Sequence, residues 1–350
     1  MTLCNLRPFN SAPLSLSSIK TSFVPRRNLF PILKYYSKII SSQDCQGSGV
    51  RSFAMSTEPA PMPKMLYGTA WKEEKTSEYV YKALKAGFRG IDTAAQPLHY
   101  KEPLVGAAVR QAIAEGIVKR SDLFLQTKFT PLSGQDLGDL PYDASAPVVE
   151  QVHSSIAYSL RNFHCVDSEE PYIDSLVLHS PLGTFEDTMT VWKTLEMYVP
   201  HQIRQLGISN ASIRYVNWLC TLPEITVRPA CVQHRFYAAN LWERDLRAYL
   251  RQEGIVFQAY WVLSGNPLLY TFPPLQRVAA HAGVELPIAL YSLVLGLGGT
   301  AVLDGTTKEA HMKEDLEGTQ FVEEWASSER GRDIWSECLD QFKVFIGEHE

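Results

Sequence analysis

The sequence predicts a single α/β domain with the fold of a (β/α)8 barrel (a TIM barrel), preceded by a disordered N-terminal extension. Apolar runs of about five or six residues alternate with helical patterns through roughly the last 290 residues. Such runs are typical of buried parallel strands. We count eight strand–helix units, a number that favours a closed barrel, typically about 250 residues long, over an open doubly wound sheet.

The eight units can be assigned in order along the chain. Apolar segments predict strands over residues 64–70, 88–93, 123–128, 173–179, 203–209, 228–233, 255–260 and 300–304. Amphipathic patterns predict helices over residues 75–86, 103–115, 148–162, 185–197, 211–219 and 241–252, a helical pair over 274–297, and a helix from 308 onward. An open sheet that binds a dinucleotide would carry a Gly-rich turn after its first strand. The match at Gly296, Gly298 and Ala301 precedes a strand instead, so we interpret it as a helix-to-strand turn.

The first 54 residues differ from the rest in composition. Residues 1–43 hold six basic side chains, eight serines and no acidic side chain. This composition is typical of a mitochondrial or plastid transit peptide. The alternatives are a disordered tail, or an upstream extension with translation beginning at Met55. We therefore expect a mitochondrial location, or a cytoplasmic one if Met55 is the start, with a linker over residues 55–63 and the barrel over 64–350.

Charge and cysteine content exclude several classes of protein. The residues after position 43 carry 27 basic and 38 acidic side chains, a net charge of −11, whereas the whole chain carries −5. A body this acidic offers no basic face to a nucleic acid. Its apolar runs are shorter than the roughly 20 residues that a membrane span needs. Six scattered cysteines without a CxxC pair argue against a zinc site or a disulfide scaffold, and favour a reduced, intracellular compartment. We expect a monomer or a weak oligomer.

Polar side chains follow six consecutive predicted strands. In a barrel of this kind the active site lies at the carboxyl ends of the strands. Any one of these groups could be a helix cap, but six in succession predict a functional site. From the second strand to the seventh they are Asp92 with Tyr100 in the following loop, Lys128, His179, Ser209 with Asn210, Gln233, and Tyr260 with Trp261.

Four of these residues suggest a centre for proton transfer. The pKa of an unperturbed tyrosine, near 10, is too high for efficient acid catalysis at neutral pH. A neighbouring Lys128 would lower the pKa of Tyr100, and Asp92 would hold that lysine charged and oriented. His179 would hydrogen-bond a substrate carbonyl oxygen. No metal spacing or nucleophile elbow is present, so a cofactor that donates hydride would complete a carbonyl reduction.

The ordered set of motifs resembles the aldo-keto reductases over residues 64 to about 316. The resemblance lies in GFRGIDTA around Asp92, LQTKF around Lys128, LVLHSPL around His179, LGISN around Ser209 and Asn210, and CVQHRFY around Gln233. It implies a barrel that uses NADPH without a metal and reduces aldehydes or ketones to alcohols. By position, the catalytic tetrad would be Asp92, Tyr100, Lys128 and His179.

The same resemblance implies how the coenzyme is held. Ser209, Asn210 and Gln233 would bind the nicotinamide carboxamide. An aromatic residue at the end of the seventh strand would stack on the nicotinamide ring; Tyr260 fits best, with Trp261 as a rival.

The loops at the mouth of the barrel, where the carboxyl ends of the strands lie, depart from the family pattern. Tyr100 lies eight positions after Asp92, where the family usually places its tyrosine five positions after the aspartate, so the neighbouring His99 is a competing candidate. The long loop over residues 130–146 is expected to line or cover the substrate pocket. Trp71, Phe129, Trp261 and this loop suggest an apolar or aromatic carbonyl substrate.

The turn after the last strand is the predicted phosphate site. The family commonly places a basic residue, a serine and, five positions later, an arginine here, where this chain has Gly305, Thr306 and His311. Thr307 lies in the same turn, and Glu314 and Asp315 match a pair that meets adenine. Lys308 would supply the missing charge, or is simply a solvated lysine. We expect NADP, with NAD or dual use as the alternative, because a bidentate arginine is absent.

A second class of function also fits the fold. Because a fold alone does not establish activity, the chain could be a nucleotide-sensing regulatory subunit with little turnover. The intact tetrad argues for the enzyme.

Overall fold

The computed structural model describes residues 61–166 and 169–348. The predictions made for the N-terminal extension and for most of the linker fall outside these residues. Met62 packs against a small apolar cluster at the bottom of the domain, around Leu66 and Phe124. The folded body therefore starts at least two residues earlier than Lys64.

Eight parallel strands form a closed barrel in sequence order, each pairing with its neighbours and the last with the first. They are β1 Met65–Gly68, β2 Gly90–Asp92, β3 Phe124–Phe129, β4 Ile173–Leu178, β5 Ile203–Ser209, β6 Cys231–Arg235, β7 Val256–Tyr260 and β8 Thr300–Asp304. The predicted (β/α)8 barrel is confirmed.

Helices follow the strands and surround the barrel. They are α1 Thr76–Ala86, α2 Glu102–Ala114, α3 Val148–Asn162, α4 Phe185–Glu196, α5 Ile213–Thr221, α6 Arg244–Glu253, α7 Pro273–Ala282, α8 Leu286–Gly296, α9 Glu309–Ser327 and α10 Arg332–Phe345. Within the described ranges, no single helix is long and apolar enough to cross a membrane; α7 and α8 pass that test only as a pair, bent by 107°.

Alternation along the strands decides which side chains reach the barrel interior. Successive side chains of a strand point to opposite faces. On β3, Leu125 and Phe129 belong to the large core that lies between barrel and helices, so Gln126 and Lys128 face inward. The same alternation turns one strand-end residue of the site inward on each of six strands. These residues are Asp92, Lys128, His179, Ser209, Gln233 and Tyr260.

Close packing between β5 and β6 requires a glycine. A Cβ atom at Gly207 would lie 2.5 Å from the sulfur of Cys231 and 3.0 Å from its carbonyl oxygen. Both distances are shorter than van der Waals contact, so any side chain would force the two strands apart. This glycine keeps Ser209 and Gln233 side by side in register.

Most helix boundaries agree with the prediction to within two residues, and two helices differ by more. The helix expected from residue 241 begins at Arg244, because Leu241, Trp242 and Glu243 have φ values of 53°, 50° and 53°. Such left-handed conformations cannot continue a right-handed helix. The helix expected from residue 308 is two helices, separated at Gly331, where a Cβ atom would lie 2.1 Å from the carbonyl oxygen of Trp325.

Candidate active site

A buried ion pair forms the floor of the candidate site. Asp92 and Lys128 are 2% and 0% exposed, and Lys128 Nζ lies 2.6 Å from Asp92 Oδ2. The ammonium group also donates to the carbonyl oxygen of Thr93 at 2.8 Å. Removing two charges from water is costly unless they are paired and hydrogen-bonded, as they are here. The pair therefore holds the lysine side chain in one orientation.

Inward-facing glutamines complete the coordination of Asp92. Gln126 Nε2 and Gln233 Nε2 donate to Asp92 Oδ1 at 2.7 and 3.0 Å. The same two groups donate to Gln258 Oε1 at 2.7 and 2.9 Å. The sequence analysis missed Gln126 and Gln258, although both lie two residues before an inward-facing site residue. Gln233, expected at the nicotinamide, is held by Asp92 and Gln258.

Tyr100 and His179 lie above the ion pair and are only half-buried. Their ring centroids are 6.0 Å apart, and Lys128 Nζ is 5.1 Å from the centroid of the Tyr100 ring. The three residues thus meet at the end of the barrel, as the sequence predicted. The direction of the tyrosine shift was wrong, however: burial and the negative charge of Asp92 raise the pKa of Tyr100.

His179 is a neutral imidazole at physiological pH. Burial, and then the charges of Lys128 and His99, lower its pKa to about 3. Its Nδ1 lies 2.7 Å from Oγ1 of Thr130, a residue that the sequence analysis did not single out. The ring can therefore offer a hydrogen bond to a substrate without itself carrying charge.

His99 packs away from the ion pair. Its ring stacks on Trp71 with centroids 3.7 Å apart, and the Trp71 amide donates to the His99 carbonyl at 2.8 Å. Trp71 is 67% exposed at the mouth. Tyr100, whose ring Lys128 approaches, is accordingly the better match to the fourth member of the tetrad.

Phe129 does not line the pocket, which corrects the prediction. It is 0% exposed and packs against Tyr142, with ring centroids 5.9 Å apart. The cause is strand alternation: Lys128 points into the barrel, so the next side chain must point outward, as Leu125 does. The outward orientation of Phe129 could therefore have been predicted from its position next to Lys128.

The predicted carboxamide residues form one hydrogen-bonded cluster. Asn210 Nδ2 donates to Ser209 Oγ at 3.1 Å and to the His179 carbonyl at 3.0 Å. Tyr260 donates its hydroxyl proton to Asn210 Oδ1 at 2.8 Å. Trp261 lies outside this cluster: it is 50% exposed, and the Arg235 guanidinium lies 4.7 Å from its ring centroid. Tyr260 is therefore better placed than Trp261 beside a ring held by Asn210.

The turn after β8 is held by the first strand and its loop. Tyr67 donates to the Thr306 carbonyl at 2.9 Å, and Lys72 Nζ donates to the Gly305 carbonyl. The sequence analysis missed Lys72, which is 8% exposed and lies 233 residues from its partner. The remaining predicted phosphate residues, all with solvent-exposed side chains, are Thr307, Lys308 and His311.

Asp315 does not face the mouth, contrary to the expectation that it meets adenine. It is 6% exposed and lies against Asp304, which is 1% exposed and accepts hydrogen bonds from the Thr306 amide at 2.9 Å and Tyr291 at 3.3 Å. Asp304 has the same outward orientation as Val302, toward the helices. Burial, and then the neighbouring Asp304 carboxylate, raise the pKa of Asp315 to about 8. We infer that the two carboxyl groups share a proton, because two buried carboxylates in contact cannot both ionise without a large cost.

This shared proton predicts how stability depends on pH. The folded protein keeps a proton on Asp315 up to about pH 8, whereas the unfolded chain releases it near 3.8. The free energy of unfolding should therefore fall as the pH rises through this window. Asp315→Asn, whose amide donates to Asp304 without titrating, should lose less stability from pH 5 to pH 8, by on the order of 1–3 kcal/mol. Urea unfolding at both pH values measures this difference. Glu324→Gln, an exposed substitution further along α9, is the control. Parallel profiles for D315N and the unaltered protein would contradict the shared proton.

Comparison with known proteins agrees with this geometry. The model of the aldo/keto reductase family matches residues 64–322. Aldo-keto reductase family 1 member C1 of Macaca fuscata fuscata is 27% identical over 295 residues, which cover 74% of this chain and 84% of that protein. Prostaglandin F synthase 1 of Bos taurus is 26% identical over 294 residues, with the same two coverages. YtbE of Bacillus subtilis (strain 168), described as an uncharacterized oxidoreductase, is 28% identical over 246 residues, 69% of this chain and 77% of that protein.

The family match spans well over half of the chain, and it coincides with a closed eight-stranded barrel whose strand ends carry the expected residues in order. The chain belongs to the aldo/keto reductase family of oxidoreductases.

Proposed function

We propose that this protein reduces an aldehyde or ketone to an alcohol with NADPH, with Tyr100 as the proton donor. The observation that carries the proposal is the arrangement at one end of the barrel: a buried Asp92–Lys128 pair beneath Tyr100 and a neutral His179. A substrate carbonyl between Tyr100 and His179 would meet two hydrogen-bond donors. Both would stabilise the negative charge that develops on its oxygen during reduction.

The residues beside this centre suit a nicotinamide. Ser209 and Asn210 offer hydroxyl and amide groups at the end of β5, the chemistry that a carboxamide needs. Gln233 lies beside Ser209, with its side-chain amide held by Asp92 and Gln258. Tyr260 is fixed next to them by its bond to Asn210. When bound, the coenzyme supplies the hydride that the side chains of this chain cannot provide.

Each tetrad residue has a separate role in the proposal. Tyr100 is protonated at neutral pH, as an ordinary tyrosine is, and so carries the proton to be transferred. Because burial and Asp92 raise its pKa, the transfer depends on a neighbouring positive charge. Lys128, held by Asp92, stabilises the phenolate that this transfer leaves behind. His179 orients the carbonyl oxygen and remains neutral.

Exposed aromatic and aliphatic groups at the mouth suggest an apolar carbonyl compound. Trp71, Trp261 and Leu98 are 67%, 50% and 44% exposed. Each lies in the segment that follows the carboxyl end of a strand, on the side of the barrel that carries the site. Large apolar side chains that face solvent around a concave centre commonly contact a ligand. The proposed substrate is accordingly an aromatic or extended aliphatic aldehyde or ketone.

The experiment that tests this function is a panel of carbonyl compounds assayed with NADPH and NADH in parallel. We expect oxidation of NADPH with aromatic and long-chain aldehydes, and weaker activity with NADH. Tight NADPH binding without turnover across the whole panel would instead support the nucleotide-sensing alternative.

Coenzyme binding tests whether the turn after β8 holds the 2′-phosphate of NADPH. An arginine makes bidentate bonds to phosphate that a histidine cannot make. His311→Arg should therefore lower the Kd for NADPH by about tenfold, equivalent to about 1.4 kcal/mol, and leave the Kd for NADH unchanged. Lys313→Arg, an exposed substitution two residues further along α9, is the matched control. An equal gain for both coenzymes would place His311 away from the 2′-phosphate.

A further inference from the structure

Thr130 is the first residue after β3, and its hydroxyl meets the histidine of the site. Its side chain is 2% exposed, and Oγ1 lies 2.7 Å from His179 Nδ1. We infer that Thr130 is a positioning residue that donates its hydroxyl proton to His179 Nδ1 and so keeps the imidazole proton on Nε2, facing the substrate. The effect on catalysis rests on the proposed carbonyl reduction, whereas the assignment of the proton to Nε2 does not.

The direction of the hydrogen bond follows from counting donors and acceptors. A neutral imidazole has one N–H donor and one acceptor nitrogen, whereas a threonine hydroxyl both donates and accepts. In the described part of the chain, His179 Nδ1 is the sole acceptor within reach of the Thr130 hydroxyl. If Nδ1 carried the proton, the buried hydroxyl proton would have no acceptor, which is costly. The hydroxyl therefore donates, and the single imidazole proton is on Nε2.

The long loop that follows β3 fixes Thr130 in place. Its carbonyl oxygen accepts hydrogen bonds from the Tyr142 hydroxyl at 2.7 Å and from Gln135 Nε2 at 3.3 Å. A Cβ atom at Gly134 would lie 3.0 Å from the Thr130 methyl group, so this position must stay small. Gln96 Nε2 donates to the Gly134 carbonyl at 2.6 Å, which joins the loop to the segment leading to Tyr100.

The tautomer decides whether His179 helps or hinders a carbonyl substrate. With the proton on Nε2, the ring donates to the carbonyl oxygen beside Tyr100. With the proton on Nδ1, the lone pair of Nε2 would face that oxygen and repel it. Which nitrogen is protonated is set by the hydrogen bond that the other makes.

Kinetics of two variants test the catalytic consequence. Thr130→Val keeps the shape of the side chain and removes the hydroxyl, whereas Thr130→Ser keeps the hydroxyl. We expect T130V to lower kcat/KM for carbonyl reduction by about 10- to 100-fold with an unchanged Kd for NADPH, and T130S to restore it to within about threefold of the unaltered protein. Equal activity of T130V and the unaltered protein would overturn the inference, as would equal losses in T130V and T130S.

Nitrogen NMR of the full chain with ¹⁵N-labelled histidine provides a readout that does not depend on turnover. His179→Gln identifies the His179 signals. We expect the unaltered protein to show a protonated Nε2 and an unprotonated Nδ1, and T130V to show a mixture of the two tautomers. A protonated Nδ1 in the unaltered protein, or the same pattern in T130V, would overturn the inference. If no carbonyl is reduced by the unaltered protein, the proposed function fails while the NMR result still decides the role of Thr130.

Discussion

Tyr100→Phe is expected to lower kcat for carbonyl reduction by about 10³-fold, because the substitution removes the only group proposed to donate the proton. Phenylalanine retains the ring that lies over Lys128 and beside His179, so the packing of the site should not change. The Kd for NADPH should also stay the same, since within the described ranges Tyr100 makes no hydrogen bond to Asn210 or Tyr260. Stopped-flow oxidation of NADPH measures the loss.

Two other variants make this result specific. Tyr81→Phe removes a tyrosine hydroxyl on the surface, where it contacts Glu115, and should leave kcat unchanged. His99→Gln tests the neighbouring candidate in the longer loop and should change KM more than kcat, because His99 stacks on Trp71 at the mouth. A large fall in kcat for H99Q together with full activity of Y100F would exchange their roles.

Alternating burial explains why the strand-end residues could be predicted from sequence. The strands are short apolar runs, and a polar side chain at the carboxyl end of each run stands out against them. Asp92, Lys128 and His179 were found in this way, and the structure brings the three together with Tyr100. The same alternation, applied one residue further, would have excluded Phe129.

Contacts between distant segments could not be predicted from the sequence. Thr130 meets His179 across 49 residues, and Lys72 meets Gly305 across 233. Nothing in the local pattern of either residue indicates its partner, because the pairing depends on strand register and on the path of long loops. The sign of the tyrosine pKa shift failed for a related reason: the burial of the ring and the closeness of the Asp92 charge depend on the assembled barrel.

The targeting role of residues 1–54 stays a prediction from composition. Its test is independent of the barrel, because the residues that carry the chemistry begin at Asp92. Fusion of these 54 residues to a fluorescent protein would show whether they direct it to an organelle.

The second large effect is expected at the buried ion pair. Asp92→Asn and Lys128→Met should each destabilise the fold by about 3–5 kcal/mol, because each leaves an uncompensated buried charge. Lys128→Met leaves Asp92 with two glutamine donors alone. In Asp92→Asn the new NH2 group must face either the Lys128 ammonium or the two glutamine amides. All of these groups are hydrogen-bond donors, so one contact is lost. Both should also reduce carbonyl reduction to background.

The double variant Asp92→Asn/Lys128→Met separates pairing from simple burial. It removes both charges at once, so the total loss of stability should be smaller than the sum of the single losses by about 1–3 kcal/mol. Denaturant unfolding of all four proteins measures this coupling. The exposed pair of Lys82 and Glu78 on α1 is the control, since charges that water can solvate should show little coupling. Additive losses at Asp92 and Lys128 would mean that the glutamines already satisfy the carboxylate. Lys128 would then be oriented by the Thr93 carbonyl, and the charge beneath Tyr100 would not depend on Asp92.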